Sequence, residues 1–353
     1  MPVPAIAAVL RDLGAEVFVL ALTGRDRRAL AAILRAGFNV EVRPNGERDH
    51  LRAFRWLDRA IATIEPDIIW TSLTRATLLG QLVGARRRIP VVSWQHAAFL
   101  RPANRRMLRF MRNRTALWIA DSQAVNAFAQ SELRVSELNL MTWPLFAADP
   151  DAIQAPPWQP GQLIRIGSLG RLHPVKGYDI LIEALALVRE LNPDAFHSIH
   201  VSIAGEGGDR RRLVALARQA EVENLTFMGF CAEPREFLAG LHLYVQPSRS
   251  EGFCVAAHEA MQAGIPVIAS AVGEIANSLV SGETGISVPP GDSRALALAI
   301  LRCVSAPEDL KAMGEAGRRR LLSRFNEAEF RAGAERIVRR LERLSLATRP
   351  ISP

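Results

Sequence analysis

Residues 246–269 constrain the fold more than any other part of the chain. An apolar segment, 241–245, meets a Pro-Ser turn. A loop containing Gly252 then opens a helix that stops at Gly264, ahead of a second apolar segment around Val267 and Ile268. A strand, loop, helix and strand in this order make one unit of an α/β sheet. Ligands of such sheets gather at the carboxyl ends of strands and at helix N-termini, where unpaired N–H groups and the helix dipole favour anions. Two carboxylates mark the place. Glu251 falls at the expected helix start and Glu259 lies eight residues on, roughly 12 Å along an axis rising 1.5 Å per residue. That span suits a long ligand, with a sugar at one end, a ribose at the other and a diphosphate between them.

The same alternation runs through the chain. Helices are expected over 4–13, 26–36, 51–64 and 76–85, with strands over 16–22, 38–42, 67–71, 90–94 and 117–120 and a further helix capped by Ser122. Five prolines between 143 and 162 (Pro144, Pro150, Pro156, Pro157 and Pro160) then mark a linker. A second series follows, with strands over 163–167, 199–204 and 225–228, helices over 177–190 and 210–220, and a helical end from 294 to 346. This texture predicts α/β architecture with two doubly wound parallel domains. The expected boundaries are a first domain over 1–145, a linker over 146–162, a second domain over 163–325, and an amphipathic C-terminal helix over 326–346. A domain of this kind normally begins with a strand and a glycine-rich turn, whereas here α-helical pattern comes first. The expectation is therefore either a start that lies upstream or a truncated gene, with sheet edges left unpaired.

Composition narrows the class. At 353 residues, 49% of them hydrophobic, the chain can bury two cores. Cys231, Cys254 and Cys303 have neither disulfide-framework nor zinc-site spacing, so a reducing cytoplasm is expected and no metal. Arg11, Asp12 and Glu16 interrupt the apolar opening, which argues against a signal peptide or membrane span. Net charge is +8 and all of it sits early. Residues 1–150 hold 21 Arg against 13 Asp and Glu, and the remainder balances at 23 against 23. Arg101, Arg105, Arg106, Arg109, Arg112 and Arg114 share a stretch with Leu100, Met107, Leu108, Phe110 and Met111. That mixture fits either a solvated charged helix or one lying on an anionic bilayer, a peripheral site on the inner membrane face. No nucleic-acid module accompanies the charge, so nucleic acid is not an expected partner.

Chemistry concentrates in the second half. The loop 167–177 carries Gly170, Arg171, His173, Lys176 and Gly177 between a strand and a helix, so backbone can approach a ligand while two cations face an anion. The chain has only two lysines, Lys176 and Lys311. A lysine in a glycine loop of an arginine-rich protein points to a compact point charge for phosphate. Gly205 lies in a second glycine loop, and Phe230 and Cys231 close the following strand.

In order, the pieces GSLGRLHPVKG, IAGEGGD, FMGF, QPSRSEGFCVAAHEA, AGIPVIAS and GETGISVPPGD resemble the retaining glycosyltransferases of family 4. The resemblance covers about 164–292 and implies the GT-B fold, two Rossmann-like domains facing a cleft, with the C-terminal helix over 326–346 packing back on the first domain. It implies a nucleotide-sugar donor as substrate, no cofactor or metal, and a glycan or lipid-linked acceptor in surface polysaccharide or glycolipid synthesis. On this resemblance Arg171 and Lys176 hold the diphosphate and stabilise the departing nucleotide, Glu259 holds ribose hydroxyls, and Glu251 lies near the donor sugar. Gly170, Gly205, Phe230, Cys231, Gly252, Phe253 and Cys254 also line the donor, and His96, ending a strand of the first domain, is a catalytic candidate. The inferred carboxylate separation exceeds the roughly 5 to 5.5 Å of a retaining hydrolase pair. Two departures stand out: Cys254 replaces a common glycine, and Gly273-Glu274-Ile275-Ala276-Asn277 lacks one usual carboxylate while adding another charge. A GT-B sugar-nucleotide epimerase, or an inactive truncated protein that still binds a nucleotide or a membrane, are the other readings.

Overall fold

A computed structural model describes residues 3–24, 28–44, 46 and 49–348. The chain divides into two compact units, residues 1–146 with 328–353, and 147–327. The first unit runs α1 (Val3–Asp12), β1 (Phe18–Ala21), α2 (Arg28–Arg35), β2 (Asn39–Val42), α3 (His50–Ile64), β3 (Ile69–Ser72), α4 (Thr74–Arg87), β4 (Val91–Gln95), α5 (Pro102–Met111), β5 (Leu117–Ala120), α6 (Gln123–Ser131) and β6 (Leu140–Thr142). The second runs β7 (Ile164–Leu169), α7 (Tyr178–Leu191), α8 (Pro193–His197), β8 (Ile199–Ala204), α9 (Arg210–Gln219), β9 (Leu225–Gly229), α10 (Pro234–Ala239), β10 (Leu243–Gln246), α11 (Val255–Gln262), β11 (Val267–Ser270), α12 (Ile275–Ser278), β12 (Gly285–Val288), α13 (Ser293–Ser305) and α14 (Asp309–Arg324). The last helix, α15 (Glu327–Thr348), is counted almost wholly with the first unit.

In the first unit the strands form two separate parallel groups, β1-β2 and β3-β4-β5-β6. Among the described residues no strand precedes α1 and β1 does not pair with β3. Between them lies an open groove of about 430 Å³ walled by Leu13, Leu20, Leu57, Ile61, Ile69 and Leu341. β1 and β3 both line this groove without pairing.

Aromatic packing ties α15 into this unit. Trp143 stacks on Trp94 with ring centroids 5.0 Å apart, meets Phe330 at 5.0 Å, and donates its indole N–H to the Phe330 carbonyl at 2.9 Å. Buried aromatic rings of this size supply much of a small core. Gly333 permits the contact, since a Cβ there would stand 2.5 Å from the Trp143 ring.

The second unit is one six-stranded parallel sheet in the order β12-β11-β10-β7-β8-β9. β10 and β11 are buried along their whole length, which is why they read as apolar runs, whereas the edge strand β9 alternates half-buried and exposed residues. On one face α7 and α13 press Leu181, Leu185, Val188 and Ile300 onto Val201, Ile203, Leu243 and Val245, each large side chain contributing about 1.5–3 kcal/mol when fully buried. Strand order reverses between β7 and β10, which pair through Ile166 with Leu243 and Gly167 with Tyr244. The loops leaving the carboxyl ends of that pair meet there, at the place where an open α/β sheet offers a ligand crevice.

Proline content misjudged the segment expected as a linker. Residues from Ala147 onward are built into the second unit: the Asp149 amide donates to the Gln262 side chain at 2.8 Å, the Ala155 amide donates to the Ala263 carbonyl at 2.8 Å, and Arg318 donates to the Pro150 carbonyl. Pro150, Pro156, Pro157 and Pro160 lie exposed along this segment, where a lost N–H costs nothing because no ladder passes. β6 and β12 are further strands that short, mixed sequence concealed.

Candidate functional site

The crevice at the β7-β10 junction brings together Arg171, Lys176 and Glu251 of the charged residues singled out above. The loop after β7 makes a short 3₁₀ turn, Pro174–Lys176, and ends at Gly177 in the left-handed region (φ 67°), one residue before α7. A side chain at Gly177 would collide with the Pro247 carbonyl, so glycine there lets the loop after β7 lie against the loop after β10. The two are pinned together. The Arg249 amide donates to the Val175 carbonyl at 2.8 Å, and the Arg249 guanidinium donates to the Pro174 carbonyl at 2.8 Å and to both Asp179 carboxylate oxygens at 2.7 and 3.0 Å. Arg249 was not among the sequence candidates, though its bidentate clamp fixes the cation-bearing loop.

Lys176 and Glu251 meet across this seam. The ammonium donates to Glu251 Oε1 at 2.7 Å, with the two side chains 22% and 10% exposed. Burial works to lower the Lys176 pKa, but the Glu251 charge and hydrogen bond outweigh it and the lysine is raised above its ordinary value. Glu251 Oε1 also accepts from Ser248 Oγ at 2.6 Å and Gln246 Nε2 at 3.1 Å, while the Tyr244 hydroxyl donates to Gln246 Oε1 at 2.8 Å. Tyr244, Gln246 and Ser248 are buried. Their spacing of two along an emerging strand is the signal that could have identified them as a brace for Glu251.

Glu251 does not begin the helix. α11 starts at Val255, and Cys254 ahead of it is left-handed (φ 66°), so Glu251 is a loop residue and helical rise does not measure its distance from Glu259. Left-handed backbone favours glycine by roughly 1–2 kcal/mol, which gives a backbone reason for glycine at this place and makes Cys254 a strained substitute. Burial pushes its thiol well up, so it stands as a neutral apolar group. Gly252 and Phe253 are buried beside it. Phe253 stacks on the His258 ring at 4.2 Å.

Arg171 stays exposed yet near enough to lower the Lys176 pKa by like-charge repulsion. The loop after β8 docks on it from the side: the Gly170 amide donates to the Ala204 carbonyl and the Leu172 amide to the Glu206 carbonyl, each at 2.9 Å, with the Gly205 amide donating to Gly229 at 2.6 Å. Phe230 is 52% exposed and Cys231 is half-buried just beyond β9. Glu259 occupies a separate recess with Ala152, Arg235 and Leu238. Burial raises its pKa against the opposing pull of Arg235. Glu274, the added charge of the 273–277 segment, turns inward to Arg324 at 2.8 Å and its amide donates to Gly252 O at 2.8 Å, so it supports the loop. His96 belongs to the first unit, one residue beyond the end of β4.

His258 is fully buried on α11, its Nδ1 2.9 Å from the Cys254 carbonyl and its Nε2 2.7 Å from Ser278 Oγ. Burial lowers its pKa from 6.5 to about 4.

An α/β unit with a braced ion pair at its switch point defines a class of anionic-ligand sites, and comparison with known proteins specifies the class. The profile described as Glycosyl transferases group 1 matches residues 152–320, and that described as Glycosyltransferase Family 4 matches residues 4–147. The chain belongs to these glycosyltransferases and has the GT-B fold. It is 34% identical over 181 residues to a glycogen synthase of Mycobacterium tuberculosis, a match covering 50% of this chain and 42% of that protein. It is 31% identical over 168 residues to the lipopolysaccharide core biosynthesis mannosyltransferase LpcC of Rhizobium leguminosarum bv. viciae, covering 45% of this chain and 46% of that one. These matches span less than half the length of either relative. Among solved structures, Anabaena HepE in complex with UDP-glucose superposes with a TM-score of 0.81 at 23% identity, covering 96% of this chain and 95% of that one.

Acid tests the brace around α11. Because folding holds His258 neutral, with its pKa depressed below the unfolded value, its contribution is complete above pH 6.5 and disappears as pH falls toward 4. Thermal melts across that window are expected to show a loss on the order of 3 kcal/mol, and His258→Gln is expected to flatten it. An unchanged pH slope in that variant would contradict the assignment.

Proposed function

We propose that the chain is a retaining glycosyltransferase that uses a nucleoside-diphosphate sugar and an acceptor of glycan or lipid-linked type, in the assembly of a surface polysaccharide or glycolipid. The observation that carries this reading is the Lys176–Glu251 pair held at the β7-β10 junction. In the reading, Lys176 and Arg171 bind the diphosphate at the start of α7. Glu251, fixed by Ser248 and Gln246, orients Lys176 and faces the sugar, and Glu259 takes ribose hydroxyls. Backbone N–H groups of Gly252, Phe253 and Cys254 meet sugar and phosphate oxygens, while Gly170, Gly205, Phe230 and Cys231 border the nucleotide.

Transfer then breaks the bond from the anomeric carbon to the diphosphate and forms one from the acceptor oxygen on the same face. The acceptor proton passes to a leaving phosphate oxygen. The two cations offset the negative charge that builds on the departing diphosphate, and this electrostatic term is the main contribution of the protein. UDP-glucose, the ligand of the HepE structure, is the first donor to try and GDP-mannose the second.

On the acceptor side, α5 and the residues before it expose an apolar and basic face. Phe110 is 86% exposed, Met107 and Phe99 are also exposed, and Arg101, Arg106 and Arg109 surround them. α5 carries no carboxylate, and among the described residues no helix is long and apolar enough to cross a membrane. This surface suits peripheral contact with anionic lipid on the inner membrane face.

Titration calorimetry with UDP-glucose and GDP-mannose tests the donor site. Wild type is expected to bind one of them, with Lys176→Ala and Glu259→Ala each weakening it about 10- to 100-fold, the loss of one hydrogen bond to a charged group. Equal affinity in wild type and both variants would sink the reading. For the membrane surface, sedimentation with phosphatidylglycerol vesicles is expected to pull down the wild-type chain at low salt and to fail in Phe110→Ser. No binding by wild type would remove that part of the proposal.

A further inference from the structure

His96 is held from three sides at the carboxyl edge of the first unit. Three adjacent parallel strands, β3, β4 and β5, end together: Ser72 is the last residue of β3 and pairs with Trp94, while Gln95 pairs with Ala120. His96 and Asp121 are therefore the next residues out on neighbouring strands. His96 Nε2 lies 2.6 Å from Ser72 Oγ and its Nδ1 lies 3.3 Å from Asp121 Oδ2. The imidazole also stacks on Trp94, with centroids 5.5 Å apart and planes 29° apart. Asp121 is 1% exposed and the His96 side chain 23%. Ser72 is exposed.

A neutral imidazole donates from one nitrogen and accepts at the other, and the partner of each nitrogen decides which. An ionised carboxylate only accepts. Facing Asp121, Nδ1 must carry the proton, and Nε2 is then left with its lone pair toward Ser72, whose hydroxyl can donate. The order of roles matches the arrangement by which a carboxylate fixes a histidine tautomer in acyl-transfer enzymes. Here the hydroxyl end is exposed at the strand edge, where ligands of parallel sheets arrive.

We propose that Asp121 and Ser72 are positioning residues: Asp121 locks His96 as the Nδ1–H tautomer, and Ser72, at His96 Nε2, marks the place where a sugar hydroxyl of the ligand is received. The identity of that ligand rests on the glycosyltransferase reading, whereas the tautomer does not. No bond is made or broken in this step. Nε2 accepts a hydrogen bond and so orients a hydroxyl, and the stacked Trp94 keeps the ring from turning away.

The test uses the full chain labelled with ¹⁵N-histidine, in alkaline buffer where imidazoles are neutral. His96→Gln identifies the His96 signal among the seven histidines. Wild type and Ser72→Ala are expected to show protonated Nδ1 and unprotonated Nε2. Asp121→Asn, whose amide can donate to Nδ1, is expected to invert the pattern and to lower kcat about a hundredfold, and Asp121→Glu is expected to restore both. An Nε2–H signal in wild type, or an unchanged pattern in Asp121→Asn with an intact melting transition, overturns the proposal. A wild-type chain with the Nδ1–H signature but no turnover on any donor overturns the transferase reading and leaves the lock supported.

Discussion

The second unit depends on one electrostatic constraint, the contact between the Lys176 ammonium and the Glu251 carboxylate. Each arrives on a loop that leaves the sheet at its switch point, and each is mostly withdrawn from water. Charges in that position are costly unless paired and hydrogen-bonded. Ser248 and Gln246 share the load on Glu251, and Tyr244 fixes Gln246. Arg249 holds the backbone of the lysine loop to its neighbour through Asp179. Removing either member would leave a charge in a crevice built for two, and the loops carrying Arg171 and Gly252 would lose their common anchor.

The same economy explains the residues that depart from the family pattern. Cys254 occupies a left-handed position, with its thiol buried and neutral. Glu274 spends its charge on Arg324 and its amide on Gly252, beneath the loop rather than in it. His258, whose ring lies between Phe253 and Ser278, stays neutral as part of the floor. Groups that look chemical in sequence thus separate by place: Lys176 and Glu251 meet at the crevice, while below it His258 is neutral and Glu274 is tied to Arg324.

Much of the fold was legible because period and punctuation agree. Parallel strands such as β8 and β5 were found at their observed bounds, since a short apolar run between turn signals has few other uses. β6 and β12 were missed because three or four residues of mixed character carry no period. The linker was misread because prolines mark stiffness as readily as separation. At the site, glycine loops and spaced carboxylates were visible. The placing of Glu251 outside the helix was not, since only the backbone at Cys254 reveals where α11 starts. Arg249, Ser248, Ser72 and Asp121 escaped notice because their roles come from contacts between segments far apart in sequence.

A double-mutant cycle on Lys176→Ala, Glu251→Ala and the pair, read by denaturant unfolding, tests the central claim most directly. If the ion pair anchors the crevice, each single substitution destabilises the protein and the double loses much less than their sum, a coupling of about 1–3 kcal/mol. Additivity within about 0.5 kcal/mol would mean that the two loops are held together by other contacts, and that the pair is a consequence of the site rather than its cause.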